Sequence, residues 1–481
     1  MFRLSWYQNH DRLDVAAVAN RLVAAGMPVW RCHLTAGGIE AGDYLFDGSA
    51  ALAGALGALG VKVTAAADAG LPAASEPVRA AGIAVLAGQA SAYPYYGYYA
   101  LALARLGYAF EPVGGGEIAA GALDPENILV LPGGFSNWTL DRKEGSSGAD
   151  DAVRAFLARG GAAVASCGGA YYLSRGRPGW LGVADARPLN TQEYLRSGVG
   201  MVTCRLAPGR HRLGLPPTLE LPYFHGPIWD EIGEGAVPLA HFRDLYGSGR
   251  LFIDNPLTEA VFDRDMQGRI SALRLSGVRG EAVAFSPHPE MGDLLRKYMA
   301  LETYIAHYLP IRGELVMRET LDTYRPEESR SFLMILNAIE DLLRKAPAPR
   351  PPACPASTTG SSAGPALAAL VDAWRARLAD LRPSAGGIGA LELAMAAGFE
   401  ARLHPAAARL RAGLGPLAGS GGDGPRIAAS FAALADHAVA TWAAPAARRP
   451  AERLLELEHA LLIVEAWARL AELTLAIGDH V

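Results

Sequence analysis

The chain opens on short apolar runs that alternate with amphipathic ones. FRLSWY reads as a strand, DVAAVANRLVAAG as a helix ending at Gly26, and MPVWRCHL as a second strand. AGDYLFDG is a turn leading into another element, SAALAGALGALG a helix and VKVTAA a strand. Residues 1–80 therefore read as a small α/β accessory domain. Beyond them the strand-like segments become uninterrupted apolar runs. GIAVLAG, ILVLPGG and AAVAS are strands, with YAFEPV beside them and the helical YYALALARLG and DAVRAFLARGG between them. Strands without polar alternation are buried on both faces, and their alternation with helices predicts a parallel sheet. Ligands bind outside the carboxyl ends of such strands, and Gly88, Gly133 and Cys167 all stand at such ends.

Residues 81–312 form one α/β module that closes after LLRKYMALETYIAHYL. Residues 313–345 are a helical extension in which SRSFLMILNAIEDLLRK has a 3.6-residue period. The stretch 346–364, within APAPRPPACPASTTGSSAGP, has the Pro, Ala, Ser and Gly content of a linker. Residues 365–481 are rich in Ala and Leu. They predict three or four helices of a small bundle, broken at Pro383 to Gly387, at GLGPLAGSGGDGP and at Pro445 to Pro450.

Composition narrows the function classes. The length of 481 residues gives a prior of about three domains. Lys plus Arg total 44 and Asp plus Glu 49, a net charge of −5 that argues against nucleic acid as the main partner. Hydrophobic residues are 51% and charged residues 19%, enough apolar material for buried cores. Four cysteines without a CxxC pair exclude a disulfide scaffold and a cysteine-based zinc site. The N-terminal MFRLSWYQNHDRLD lacks the pattern of a secretory signal. Ala81 to Ala104 is uncharged and long enough to span a bilayer, but it holds Gly82, Gly88, Pro94, Gly97 and five tyrosines. That composition suits a strand, a turn and a helix. A cytoplasmic protein without a membrane partner is expected.

The chemistry concentrates around Cys167. In GGAAVASCGGAYYLS a strand ends at a cysteine, two glycines follow and a helix starts. A nucleophile on a tight strand-to-helix turn needs small neighbours, and backbone N–H groups at the helix start favour thiolate. A base is offered by FSPHPE, where Pro289 separates His288 from Glu290 so that both side chains leave an extended backbone on one side. Glu290 then orients the imidazole while its other nitrogen serves Cys167. Gly133 and Gly134 in LPGG, with Gly168 after the cysteine, supply backbone N–H groups for an oxyanion. His225 in YFHGP and the tyrosines Tyr95 and Tyr96 are candidates to line the pocket. Tyr98 and Tyr99 read as core.

LPGG, a strand–Cys–Gly elbow and a distal strand–HPE, in this order, resemble a class I glutamine amidotransferase-like domain. LPGG, SCGGAYYLS, LPYFHGP and FSPHPE together are most similar to the amidotransferase-like N-terminal domain of biotin protein ligases and its stand-alone bacterial relatives. The resemblance covers about residues 80 to 310. It implies a flavodoxin-like α/β fold and a Cys-His-Glu triad at Cys167, His288 and Glu290. True glutamine amidotransferases carry a Leu-Gly-His-Gln type sequence after the nucleophile, where this chain has GGAYYLS. No P-loop or synthetase signature is visible. SRGRPGW has only a superficial likeness to a biotin-ligase motif, lies inside the module and reads as a surface turn.

Two functions follow from these residues. One is a Cys-dependent hydrolase or amidase acting on a small carboxamide. The other is a catalytically reduced ligand-binding or regulatory module on the same scaffold. A third, thiol redox chemistry, fits the distal HPE poorly. Glu456 and His459 in ELEH have the spacing of half a di-iron site, but no second such pair occurs and a solvated helix face is expected. No metal or other cofactor is expected, and the helical tail is a candidate surface for a protein partner.

Overall fold

The computed structural model describes the chain except residues 67–73, 135–138, 190–197, 247–252, 308, 351–361, 382–386, 446 and 448. The N-terminal region is an antiparallel sheet of β1 (Phe2–Leu4), β2 (Val29–Cys32), β3 (Tyr44–Phe46), β4 (Val63–Ala65) and β5 (Ser75–Pro77), in the order β4-β1-β3-β2-β5. Two helices accompany it, Arg12–Ala24 and Ala50–Ala58. Each starts where the sequence supplies a cap: Asp11 accepts from the Leu13 N–H at 2.8 Å and Ser49 from that of Leu52 at 3.1 Å.

The second sheet is built from β6 (Ile83–Leu86), β7 (Glu111–Val113), β8 (Ile128–Leu131), β9 (Ala162–Ser166), β10 (Ala186–Pro188), β11 (Val199–Leu206), β12 (Thr218–Phe224), β13 (Trp229–Ile232), β14 (Ala236–Leu245), β15 (Ile270–Gly277) and β16 (Gly280–Phe285). Its central part, β7-β6-β8-β9-β16, is wholly parallel. Counted within that parallel set, the strand order is second-first-third-fourth-fifth, the doubly wound order of flavodoxin-like folds. The chain leaves this core after the fourth parallel strand and returns by an antiparallel route, β12-β11-β14-β15, that ends beside β16. The expected flavodoxin-like parallel sheet is therefore present, widened on one side by an antiparallel extension.

Side chains of the parallel strands alternate between two buried faces. Ile83, Val85, Ile128, Val130, Val164 and Val283 face one side. Ala84, Leu86, Leu129, Leu131, Ala163 and Ala284 face the other. The helix Phe332–Leu343 packs on β9 and β16 within the first face. Its apolar side, read from sequence as an extension beyond the module, closes the sheet.

The tail comprises the helices Ala363–Ala379, Gly387–Gly419, Gly424–Trp442 and Pro450–Gly478. The break expected within GLGPLAGSGGDGP falls later and is shorter, because the second tail helix continues through Pro405 and Pro416 to Gly419. Packing along Pro450–Gly478 holds that helix together despite the lost N–H donors. The last helix also packs on Tyr95–Arg105, on Gly292–His307 and on both N-terminal helices. The tail thus shares one hydrophobic core with the module. Most of the expected linker, residues 351–361, lies outside the described residues.

Candidate active site

Three of the strand ends converge. β9 ends at Ser166 and leads into Cys167, which takes φ 50° before the helix Gly168–Leu173 begins. A positive φ is costly for a residue with a Cβ, so the turn must be held from outside. The Cys167 N–H donates to the Phe285 carbonyl at 3.0 Å, which ties the turn to the end of β16. Behind it, the helix can start only because Gly169 has no side chain: a Cβ there would stand 2.1 Å from the Leu131 carbonyl oxygen. Gly168 is buried at the first helical position. The second glycine after the cysteine is therefore needed for packing as well as for the turn.

β16 delivers the base. After Phe285 the chain bends so that the His288 N–H donates to the Pro222 carbonyl at 2.8 Å, and His288 and Glu290 are both buried. His288 Nδ1 lies 2.7 Å from Glu290 Oε1. Burial opposes charge on the His288 ring, but the facing Glu290 carboxylate and the Cys167 sulfur more than offset it, raising its pKa to about 10. Among the described residues, Glu290 Oε2 is buried without a hydrogen-bond partner. The Phe224 ring meets the His288 ring edge to face, centroids 5.6 Å apart.

β8 delivers the glycine turn. A Cβ at Gly133 would stand 2.9 Å from His288 Cε1 and 3.4 Å from Cys167 Cβ. Gly133 thus touches both residues, and its lack of a side chain keeps them together. Its carbonyl accepts from Ser91 Oγ at 3.0 Å. Since the peptide is planar and trans, the Gly134 N–H points to the opposite side of that bond. Gly134 itself sits at φ 108° with its Cα face against the Ala90 carbonyl and the Tyr95 ring.

The pocket candidates separate. Tyr95 is 39% exposed, and burial together with the neighbouring Cys167 sulfur pushes its phenol pKa up. Tyr96 instead is fully buried with its ring on Phe110 and His437, away from the cysteine. His225 takes φ 53° and is pinned to Gly198, donating its N–H to that carbonyl at 3.1 Å and accepting from the Gly198 N–H on Nδ1 at 3.4 Å. It stands one residue beyond the contact that matters. The Cys167 thiol donates to the Phe224 carbonyl at 3.0 Å. Sequence reading missed Phe224, although the YFHGP segment that carries it was legible. It also missed the hydrogen bond between Tyr99 and Ser166 at 2.6 Å, which lies directly beneath the nucleophile turn.

His459 is not on a solvated face. It is buried between Tyr93 and Tyr98, ring centroids 5.4 and 4.6 Å away, and its Nδ1 is 3.1 Å from the Tyr93 hydroxyl. Burial lowers its pKa to about 4. In SRGRPGW, expected as a surface turn, Ser174 and Trp180 are buried while the arginines between them are not. Among the described residues, no group of three or more His, Cys, Asp or Glu side chains is arranged to hold a metal ion, and no helix is long and apolar enough to cross a membrane.

No family model matches the chain and no curated protein matches it. Similar solved structures include a glutamine amidotransferase at 20% identity, covering 48% of this chain and 99% of that one with a TM-score of 0.30. A Thermoplasma acidophilum protein, provisionally described as a GMP synthase subunit, is similar at 12% identity over 55% of this chain and 98% of its own, TM-score 0.32. A Bacteroides uniformis protein, provisionally described as ThuA-like, is similar at 10% identity over 58% of this chain and 97% of its own, TM-score 0.34.

Proposed function

We propose that the chain is a cysteine-dependent amidase on a class I glutamine amidotransferase-like scaffold, with Cys167 as nucleophile, His288 as proton carrier and Glu290 as its orienting carboxylate. The observation that carries this reading is the buried His288–Glu290 pair at 2.7 Å, packed with the strained Cys167 turn against a single glycine, Gly133. A buried carboxylate held on the far side of an imidazole that adjoins a cysteine turn is the arrangement that orients and charges a general base.

In the proposed reaction the thiol proton passes to His288 in its neutral form, and the facing Glu290 carboxylate supports the charge that forms on the ring. Sulfur attacks the amide carbon, and the carbonyl electrons move to oxygen, met by the N–H groups of Gly134 and Gly168. The C–N bond then breaks as His288 returns the proton to nitrogen, releasing ammonia or an amine and leaving a thioester. Water attacks that thioester, giving its proton to His288. The acid departs, and the proton returns to sulfur. Before this begins the thiol must leave the Phe224 carbonyl, since that contact requires the proton on sulfur.

The similarity of LPGG, SCGGAYYLS, LPYFHGP and FSPHPE to the N-terminal domain of biotin protein ligases supports a place beside those domains and a cytoplasmic setting. A second reading, a ligand-binding or regulatory module, is favoured by the thiol's engagement with Phe224 and by GGAYYLS in place of a glutamine-recognition sequence. The deciding experiment is iodoacetamide labelling and ammonia release from primary amides, comparing wild type with Cys167→Ala. Turnover and labelling that vanish with the cysteine support the amidase. Turnover that survives, or labelling that spares Cys167, refutes it.

A further inference from the structure

The C-terminal helix does more than complete a bundle. A cavity of about 520 Å³ lies between the module and the tail, its module side including Tyr95, Tyr98, Phe224, Met291 and Leu295. Phe224, whose carbonyl holds the thiol, and Met291, three residues past His288, belong to its wall and join it to the site, while Cys167 and His288 do not themselves line it. Further wall comes from the helix Gly292–His307, with Tyr298 and Met299, and from the tail, with Ala451 and Leu455. A volume of this size suits a small organic ligand, and its lining is mainly aromatic and aliphatic.

The charges at its rim narrow the ligand further. Arg449 pairs with Glu302 at 2.6 Å and also with Glu452. His307 lies 2.6 Å from Asp254. All five of these side chains line the cavity. Each basic group there is thus already matched by a carboxylate of the same rim, and carboxylates outnumber basic groups three to two. A free amino acid such as glutamine needs a cation for its α-carboxylate, and among the described lining residues none is left over. An anionic ligand meets net repulsion.

We propose that this cavity binds the body of a primary carboxamide that is apolar and carries no negative charge, such as an arylalkyl amide, with the tail helix serving as a specificity wall. The proposal rests on the amidase reading for its reacting group but not for its binding. Two measurements separate them. Thermal stabilisation of Cys167→Ala by 3-phenylpropanamide, 3-phenylpropanoate and glutamine reads binding alone. Ammonia release by wild type, Leu455→Trp and Met299→Trp reads use of the cavity.

The neutral aryl amide is expected to stabilise Cys167→Ala while the other two do not. Its kcat/KM is expected to exceed that of glutamine by about tenfold or more. Leu455→Trp is expected to lower its kcat/KM by a similar factor with Cys167 still alkylated by iodoacetamide. Met299→Trp, on the helix Gly292–His307, carries the test if Leu455→Trp unfolds. The proposal is overturned if glutamine is used as well as the aryl amide, if folded Leu455→Trp and Met299→Trp leave kcat/KM unchanged, or if no aryl amide stabilises Cys167→Ala. Stabilisation without turnover in wild type overturns the amidase reading and leaves the cavity assignment standing.

Discussion

His288 and Glu290 share a hydrogen bond of 2.7 Å in a site from which both are almost wholly excluded from water. Two residues apart in sequence, they are brought face to face by the bend at Pro289. The carboxylate both fixes which ring nitrogen carries a proton and supports charge on the ring. Under the proposed mechanism, Glu290→Gln keeps the shape and loses the charge. We expect kcat to fall by about 10²- to 10⁴-fold with little change in KM. Steady-state ammonia release checks it, and an unchanged kcat would remove Glu290 from the chemistry.

The same pair sets a pH dependence of stability. His288 is raised from 6.5 to about 10, so the folded chain binds this proton more tightly than the unfolded chain does. The resulting stabilisation is fully present below pH 6.5 and is lost as pH rises through about 10. His459 runs the other way. Its pKa is lowered by burial to about 4, so its contribution is present above pH 6.5 and is lost as pH falls toward 4. Urea denaturation across pH should show both windows. Glu290→Gln is expected to flatten the alkaline one and His459→Gln the acidic one, each leaving the other in place.

Gly133 and Gly169 predict opposite outcomes for one added methyl. At Gly169 the methyl would stand 2.1 Å from the backbone of Leu131, so Gly169→Ala should destabilise the fold by about 1–3 kcal/mol. At Gly133 it would meet His288 Cε1 at 2.9 Å and Cys167 Cβ at 3.4 Å. The atoms met there are side chains, so the His288 ring can shift where the Leu131 backbone cannot. Gly133→Ala should therefore slow Cys167 alkylation and turnover while moving Tm much less than Gly169→Ala. Equal losses of Tm in the two variants would count against Gly133 as the spacer of the site.

The parallel core was legible because burial on both faces writes uninterrupted apolar runs such as ILVL and AAVAS, and each ended in a glycine or the cysteine. Cys167 follows AAVAS at once, and His288 and Glu290 lie three and five residues past Phe285, so the strand ends pointed to them. Phe224 was not, since it acts through its carbonyl, and any residue type can present one. The antiparallel extension was hidden because β14 and β15 lack a turn signature linking them to β11. The tail's role was hidden by distance. Nothing local to Leu455 or His459 announces a partner far upstream, and an Ala- and Leu-rich helix reads alike whether its apolar stripe meets its own bundle or a distant module.

The tail's seat can be tested through one buried ion pair. Lys297 Nζ lies 2.8 Å from Glu458 Oε1, and the Tyr298 hydroxyl donates to Glu458 Oε2 at 2.5 Å. Glu458 is completely buried, and Tyr298 also lines the cavity between module and tail. Removing one partner strands the other charge out of water. Lys297→Met alone should cost about 3–5 kcal/mol, and the double change Lys297→Met with Glu458→Leu distinctly less, because no unpaired charge remains. Urea unfolding of the two single variants and the double variant measures the coupling. If the single and double variants lose stability additively, the pair contributes nothing specific, and the docking of the last helix must be assigned to the aromatic stack of His459 with Tyr93 and Tyr98.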